Sequence, residues 1–117
     1  MEQELSLVQL EEIKLKAEEI KKEKKLKVIY PIYVFGDTEV GEKEAYIAYF
    51  GRPNIVMFSK FLTNSKKDEV TAIRQLARDT FVGGDNELVE DEALFLYGLM
   101  GQIQNIVAQR QGGIVNL

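Results

Sequence analysis

The chain has 117 residues, 45% of them apolar and 29% charged, with a formal net charge of -4, which is enough sequence for one domain with a modest core. It contains neither cysteine nor histidine, which excludes disulfides, metal sites of the usual zinc kind and histidine-based acid–base or triad chemistry. Any catalysis would have to rest on carboxylates, Lys, Tyr or an external metal, and no run approaches the ~18 apolar residues of a spanning helix.

The acidic N-terminus (Glu2, Glu4) is unlike a signal peptide, so a cytoplasmic location and no membrane partner are expected. Residues 1–27 carry seven Glu and seven Lys, which cancel, whereas residues 68–92 carry eight acids against Arg74 and Arg78. No domain-wide basic field exists to attract nucleic acid, and nucleic-acid binding is not expected.

The first element is a helix over 5–25. Leu10, Ile13, Ala17 and Ile20 recur three or four apart and give one narrow apolar stripe, Ser6 with Gln9 has the form of a capping box, and Glu12–Lys16 and Glu18–Lys22 have the order that favours ion pairing. The stripe suits docking on the domain or pairing with another helix, but it fails at Lys24, too early for a coiled coil. The Lys/Glu run from Glu18 to Lys27 reads as a solvated face.

The period then changes to that of strands. Lys27–Phe35 is β-branched and aromatic, residues 36–43 form a turn, and Glu44–Phe50 returns as a second strand. Pro31 lacks a ladder donor, which assigns its strand to an edge or a bulge. Both strands carry apolar groups on both faces, so more than one side must be covered, and a two-stranded ribbon needs that cover to be stable.

Pro53 suits the first position of a helix over 53–62, with Ile55 or Val56, Phe58, Phe61 and Leu62 inward. Ser65 and Asp68 mark the cap of the next helix, 68–81, which would bury Val70, Ile73, Leu76, Ala77 and Phe81. Gly83-Gly84 reads as a stop, with Gly83 left-handed, and Glu87–Glu92 as the acidic first turn of a last helix over 90–109. That helix is apolar over much of its circumference: Leu96, Leu99, Met100, Ile103 and Val107 form one face, extended by Phe95, Tyr97 and Ile106. Gly98 and Gly101 each cost about 1 kcal/mol of helix propensity, a cost that close approach by another backbone would explain. Either this helix is central or part of it is a partner-binding face.

No chemical motif emerges. Asp85–Glu92 fails the register of a calcium loop and is better explained by helix capping. Gly83-Gly84-Asp85 has no following Lys-Ser/Thr and is not a phosphate loop. Arg52, Lys60, Lys66 and Lys67 form a small basic group, and Tyr30, Tyr33, Tyr46 and Tyr49 would serve base stacking, although cross-strand pairing accounts for such tyrosines more often. No catalytic residue, cofactor or metal ligand is assigned.

The order of three motifs carries a resemblance. Ala48-Tyr49-Phe50-Gly51-Arg52-Pro53, then Val82-Gly83-Gly84-Asp85, then Asp91-Glu92-Ala93-Leu94-Phe95-Leu96 resembles the tail assembly chaperones of bacteriophages and prophages and their relatives, over residues 27–108. Gly51 stands where that pattern has a basic residue. The resemblance implies a protein without enzymatic activity that coats apolar helical stretches of a tape-measure or other tail protein. A virion structural component, such as a head–tail connector or minor capsid protein, is the alternative.

The expected architecture is therefore α+β: a charged N-terminal helix (1–26), a two-stranded antiparallel ribbon (27–50), a bundle-like part of three helices (53–62, 68–81, 90–109) and a flexible tail (111–117). Apolar excess selects Tyr46, Tyr49, Phe95, Leu99, Met100 and Ile103, with Arg52 beside them, as the candidate surface for a protein partner or for self-association.

Overall fold

The computed structural model of the chain describes residues 3–107 and 111–117. Helix α1 spans Leu7–Lys24. Its N-cap is the expected capping box, with the Gln9 amide N–H donating to Ser6 Oγ (3.1 Å) and the Ser6 N–H donating to Gln9 Oε1 (2.8 Å). Glu18 pairs with Lys21, at 3.5 Å, rather than with Lys22.

Strands β1 (Ile29–Phe35), β2 (Ala45–Gly51) and β3 (Phe81–Gly84) form one antiparallel sheet with β2 at its centre. The two-stranded ribbon is thus corrected to three strands. Phe81–Gly84, expected as a helix end and stop, leaves the helical region at Phe81 (φ -62, ψ 128) and pairs with β2. Ala48 lies opposite Gly84, Tyr49 opposite Gly83 and Phe50 opposite Phe81, with a bulge between Tyr49 and Phe50. The left-handed glycine is Gly84 (φ +91) and not Gly83. A Cβ at Gly84 would lie 2.5 Å from the Ile47 carbonyl oxygen, so only glycine fits there.

β1 is an edge strand, as Pro31 requires. Gly36, one step beyond β1, donates to the Glu44 oxygen opposite it. Hydrogen-bonded pairs alternate along an antiparallel ladder, so Tyr30, Ile32 and Val34 bond to β2 while Ile29, Pro31, Tyr33 and Phe35 turn their backbone groups outward. Pro31 therefore costs the sheet no hydrogen bond.

Both sheet faces are covered. Alternate residues of β2 point to opposite sides. Tyr46, Ala48 and Phe50 join the main core with Ile73, Ala77, Leu88, Val89, Leu94, Phe95, Leu99, Ile103 and Ile106. Tyr49 on the other face packs with Ile13 and Ile20 of α1, bordered by Ala17, Ile29, Ile47 and Val82. The N-terminal helix thus docks on the sheet, through Ile13, Ala17 and Ile20 but not Leu10, which is exposed. Gly83 permits this approach, because a Cβ there would lie 3.0 Å from Ile20 Cδ1.

The remaining helices lie as a layer on the opposite face, not as a bundle of three. Helix α2 is Ile55–Ser65, starting after the cap Asn54, whose Oδ1 accepts from the Met57 N–H at 2.9 Å; Pro53 precedes the cap instead of opening the helix. Helix α3 is Glu69–Thr80, capped by Asp68. Val70, expected inside, is exposed, and Phe81 is half-buried. The expected helix 90–109 divides at Asp91. A short α4 (Glu87–Glu90) precedes it, and a continuous helical segment, α5, covers 92–107. Asp91 is extended (ψ 125) and its carboxylate accepts from the Leu94 N–H, so it starts the new helix. Within α5, Phe95–Leu99 forms a π-helical turn and Gln104–Val107 tightens into a 3-10 turn; residues 108–109 lie outside the described residues. A Cβ at Gly98 would meet Val34 Cγ1 at 2.5 Å, so β1 approaches α5 there through a side chain, not a backbone. Gly101 has nothing within 4 Å and no such role.

Candidate functional site

The Gly-Gly-Asp corner ties the end of β3 to the turn end of the β1–β2 hairpin. Asp85 donates its N–H to the Ile47 oxygen at 2.8 Å, and its Oδ2 accepts from the Ile47 N–H at 2.9 Å. Its Oδ1 lies 3.1 Å from Lys43 Nζ. The Lys43 ammonium also sits 4.9 Å above the Tyr46 ring, while the Lys43 backbone N–H donates to the Tyr46 hydroxyl at 3.0 Å. The Asp85 hydrogen bond raises the Lys43 pKa above 10.5, partly offset by desolvation. Burial pushes the Tyr49 phenol up, with Asp85 and Glu12 adding to it. The Asp85 carboxylate, the Lys43 ammonium and the Tyr46 hydroxyl are each engaged with another part of the chain.

The acidic segment 85–92 is exposed at Glu87, Glu90, Asp91 and Glu92, but parts of it are engaged within the chain. Arg74 Nε donates to the Val89 oxygen at 2.9 Å and its Nη2 to the Glu90 oxygen at 2.6 Å, which satisfies carbonyls at the end of α4. The same guanidinium lies 5.5 Å from the Phe95 ring centre. Arg78 forks onto the Glu90 carboxylate at 3.0 and 3.2 Å and holds its pKa below 4.5. Among the described residues no three acids converge as a cation cradle.

The seven candidate partner residues separate by exposure. Tyr46, Tyr49, Phe95, Leu99 and Ile103 are buried, and Met100 is half-buried against the main core. The five buried side chains are closed off by that core and, for Tyr49, by α1. They occupy the middle layer and the inward side of α5, where apolar excess means packing on two fronts. Tyr49 also lies on the sheet face opposite Tyr46, so the two tyrosines do not meet. Arg52 alone of the seven is exposed. Of the basic group, Lys60 is engaged: its Nζ lies 3.0 Å from Asp79 Oδ2, off the hydrogen-bond direction, so the contact is an ion pair without a directed bond. The four tyrosines form no stacking platform, since two of them are inside.

The apolar surface lies elsewhere. Helix α2 has five apolar residues in its first seven (Ile55, Val56, Met57, Phe58, Phe61) and a sixth at Leu62, yet no residue in it is fully buried. Phe58 and Phe61, with ring centres 6.4 Å apart, are half-buried, and Phe61 reaches the main core. Ile55 is 81% exposed, Val56 72% and Leu62 49%. The sequence places Leu62 and one of Ile55 and Val56 inside; instead Ile55 and Leu62, two turns apart, stack on the outer side of the helix and Val56 widens it by about 100°. Helix α2 packs mainly on α3, which cannot cover a helix apolar on two sides.

Shallow grooves flank α5, and two of them border β1. One, of about 330 Å³, runs between the outer part of β1 (Ile29–Tyr33) and Gln102, Asn105 and Ile106. The other, of about 320 Å³, lies between Val34, Val40 and Glu42 on one side and Ala93, Tyr97 and Gly98 on the other. Neither groove presents a converging set of catalytic side chains. No protein-family model, curated protein or solved structure matches this chain.

Proposed function

We propose that the chain is a non-enzymatic binding protein of the tail-assembly-chaperone type, working in the cytoplasm, that holds apolar helical segments of a larger client such as a tape-measure protein. The observation that carries this reading is the outer face of α2, with Ile55, Val56 and Leu62 exposed on a capped helix. An amphipathic client helix laid along α3 and α2 would bury these side chains at about 25 cal/mol per Å² of apolar surface. The half-buried Met57 adds an adaptable contact beside them. A single short face gives weak binding, and a client with repeated apolar stretches multiplies it.

The absence of histidine and cysteine from the chain and the engagement of the acidic segment in capping both favour binding over catalysis. No helix among the described residues is long and apolar enough to cross a membrane. The test is a fluorescence anisotropy titration with a labelled, charge-balanced Leu/Gln/Lys/Glu peptide whose leucines fall on one helical face. The native chain binds it, and an Ile55→Asp/Leu62→Asp variant with unchanged circular dichroism loses that binding. Equal binding by the two proteins refutes the assignment.

A further inference from the structure

We propose that the C-terminal segment Ile114-Val115-Asn116-Leu117 of one copy adds as a fourth strand to the outer edge of β1 in a second copy. Three observations converge. The first is the register of β1: Ile29, Tyr33 and Phe35 direct both backbone groups outward and Pro31 its carbonyl, and among the described residues no strand lies beyond them. Such an edge is a template for an incoming strand, shortened but not blocked by the missing Pro31 donor.

The second is the groove beside that edge. Tyr30, Ile32 and Ile106 give it an apolar floor, with Gln102 and Asn105 on its α5 rim. A strand paired to β1 would set alternate side chains over this floor. None of the lining residues is charged, and residues 111–117 carry no charged side chain either. Association therefore buries no ionised side chain, and the polar rim offers amide partners to Asn116.

The third is the segment itself. Ile114 is 94% exposed and Val115 79%, so its own copy does not hold it. Its β-branched pair follows Gly112-Gly113, which lets the chain leave the body at any angle and gives the segment strand propensity. The occupant of the groove is accordingly a second molecule. This pairing is independent of the reading of α2, whose exposed face belongs to a different element.

Sedimentation velocity over a concentration series tests the proposal with three full-length proteins: the native chain, Ile114→Asp/Val115→Asp, and Asn105→Lys. Both variants alter exposed positions, and circular dichroism checks that they fold. The native chain associates as concentration rises, the double variant stays monomeric, and a charge in the neutral groove weakens association by about tenfold or more. A fluorescent Gly112–Leu117 peptide binds the double variant and binds Asn105→Lys more weakly. A native chain that stays monomeric at every concentration overturns the proposal, including the case where the peptide binds only the double variant, which would mean docking within one molecule. Association that survives the double variant, or is indifferent to Asn105→Lys, overturns it as well.

Discussion

Asp85 bonds to Ile47 twice, once through its own backbone N–H and once through its carboxylate, so that a side chain completes the ladder where β3 runs out. The backbone turns at Gly84, whose positive φ brings the Asp85 carboxylate round to the Ile47 N–H. Asp85→Ala leaves that part-buried N–H without an acceptor, at an expected cost of about 1–3 kcal/mol in urea unfolding. Asp85→Asn keeps a carbonyl acceptor and loses mainly the exposed Lys43 pair, a loss below about 1 kcal/mol. Equal losses in the two variants would mean that the ion pair, not the strand bond, holds the corner.

The two glycines of α5 make a matched pair of opposite sign. Gly101→Ala meets open space and is expected to stabilise the protein by up to about 1 kcal/mol. Gly98→Ala gains the same helix propensity but drives its Cβ to 2.5 Å from Val34, a β-branched side chain with little freedom to move. Overpacking of that kind costs about 1–3 kcal/mol, so a net loss is expected. Thermal melts of the two variants read the difference directly.

Asp68 supplies an acid-sensitive contribution. Its carboxylate accepts from the Thr71 hydroxyl at 2.7 Å and from the Thr71 N–H at 3.2 Å, and these bonds lower its pKa below 3.8. A carboxylate with a depressed folded pKa stabilises above its unfolded pKa, and the contribution disappears as pH falls through the folded value. Asp68→Ala is thus expected to melt below the native chain at neutral pH, with the gap closing in acid. The Glu90 carboxylate beside Arg78 follows the same sign. A gap that is constant with pH would show that Asp68 acts through something other than its charge.

Ile103→Asp and Leu62→Asp place the same charge in two contrasting sites. Ile103 is completely buried, and an unpaired carboxylate there should cost more than about 4 kcal/mol, comparable with the whole stability of a small domain. Leu62→Asp should leave the far-ultraviolet circular dichroism and the cooperative melt unchanged within about 0.5 kcal/mol. A folded, cooperative Ile103→Asp protein would mean that α5 is not the centre of the core.

The long periodic elements were legible in the sequence, because α1, β1, β2, α3 and the body of α5 each declare their period over many residues. The need for cover on both sheet faces was legible too, from strands apolar on both sides. The third strand was not. Phe81–Gly84 is only four residues long and half glycine, so its strand character comes from β2 beside it and not from its own propensity. The break at Asp91 was hidden because an acidic run suits the start of one helix as well as the junction of two. The burial of most of the candidate residues was hidden for a related reason. Tyr46 and Tyr49 lie in the middle layer and Phe95, Leu99 and Ile103 on the inward side of α5, so apolar excess there means packing, whereas the exposure of Ile55, Val56 and Leu62 follows from α2 packing mainly on α3.

Methyl NMR on the isoleucine, leucine and valine side chains, recorded while the charge-balanced amphipathic peptide is added, tests the α2 assignment most directly. Shifts concentrated at Ile55, Val56 and Leu62, with the Leu99 and Ile103 signals unmoved, are what a docking helix on the outer face of α2 produces. Shifts at Leu99 and Ile103 instead, or none at α2, would contradict it.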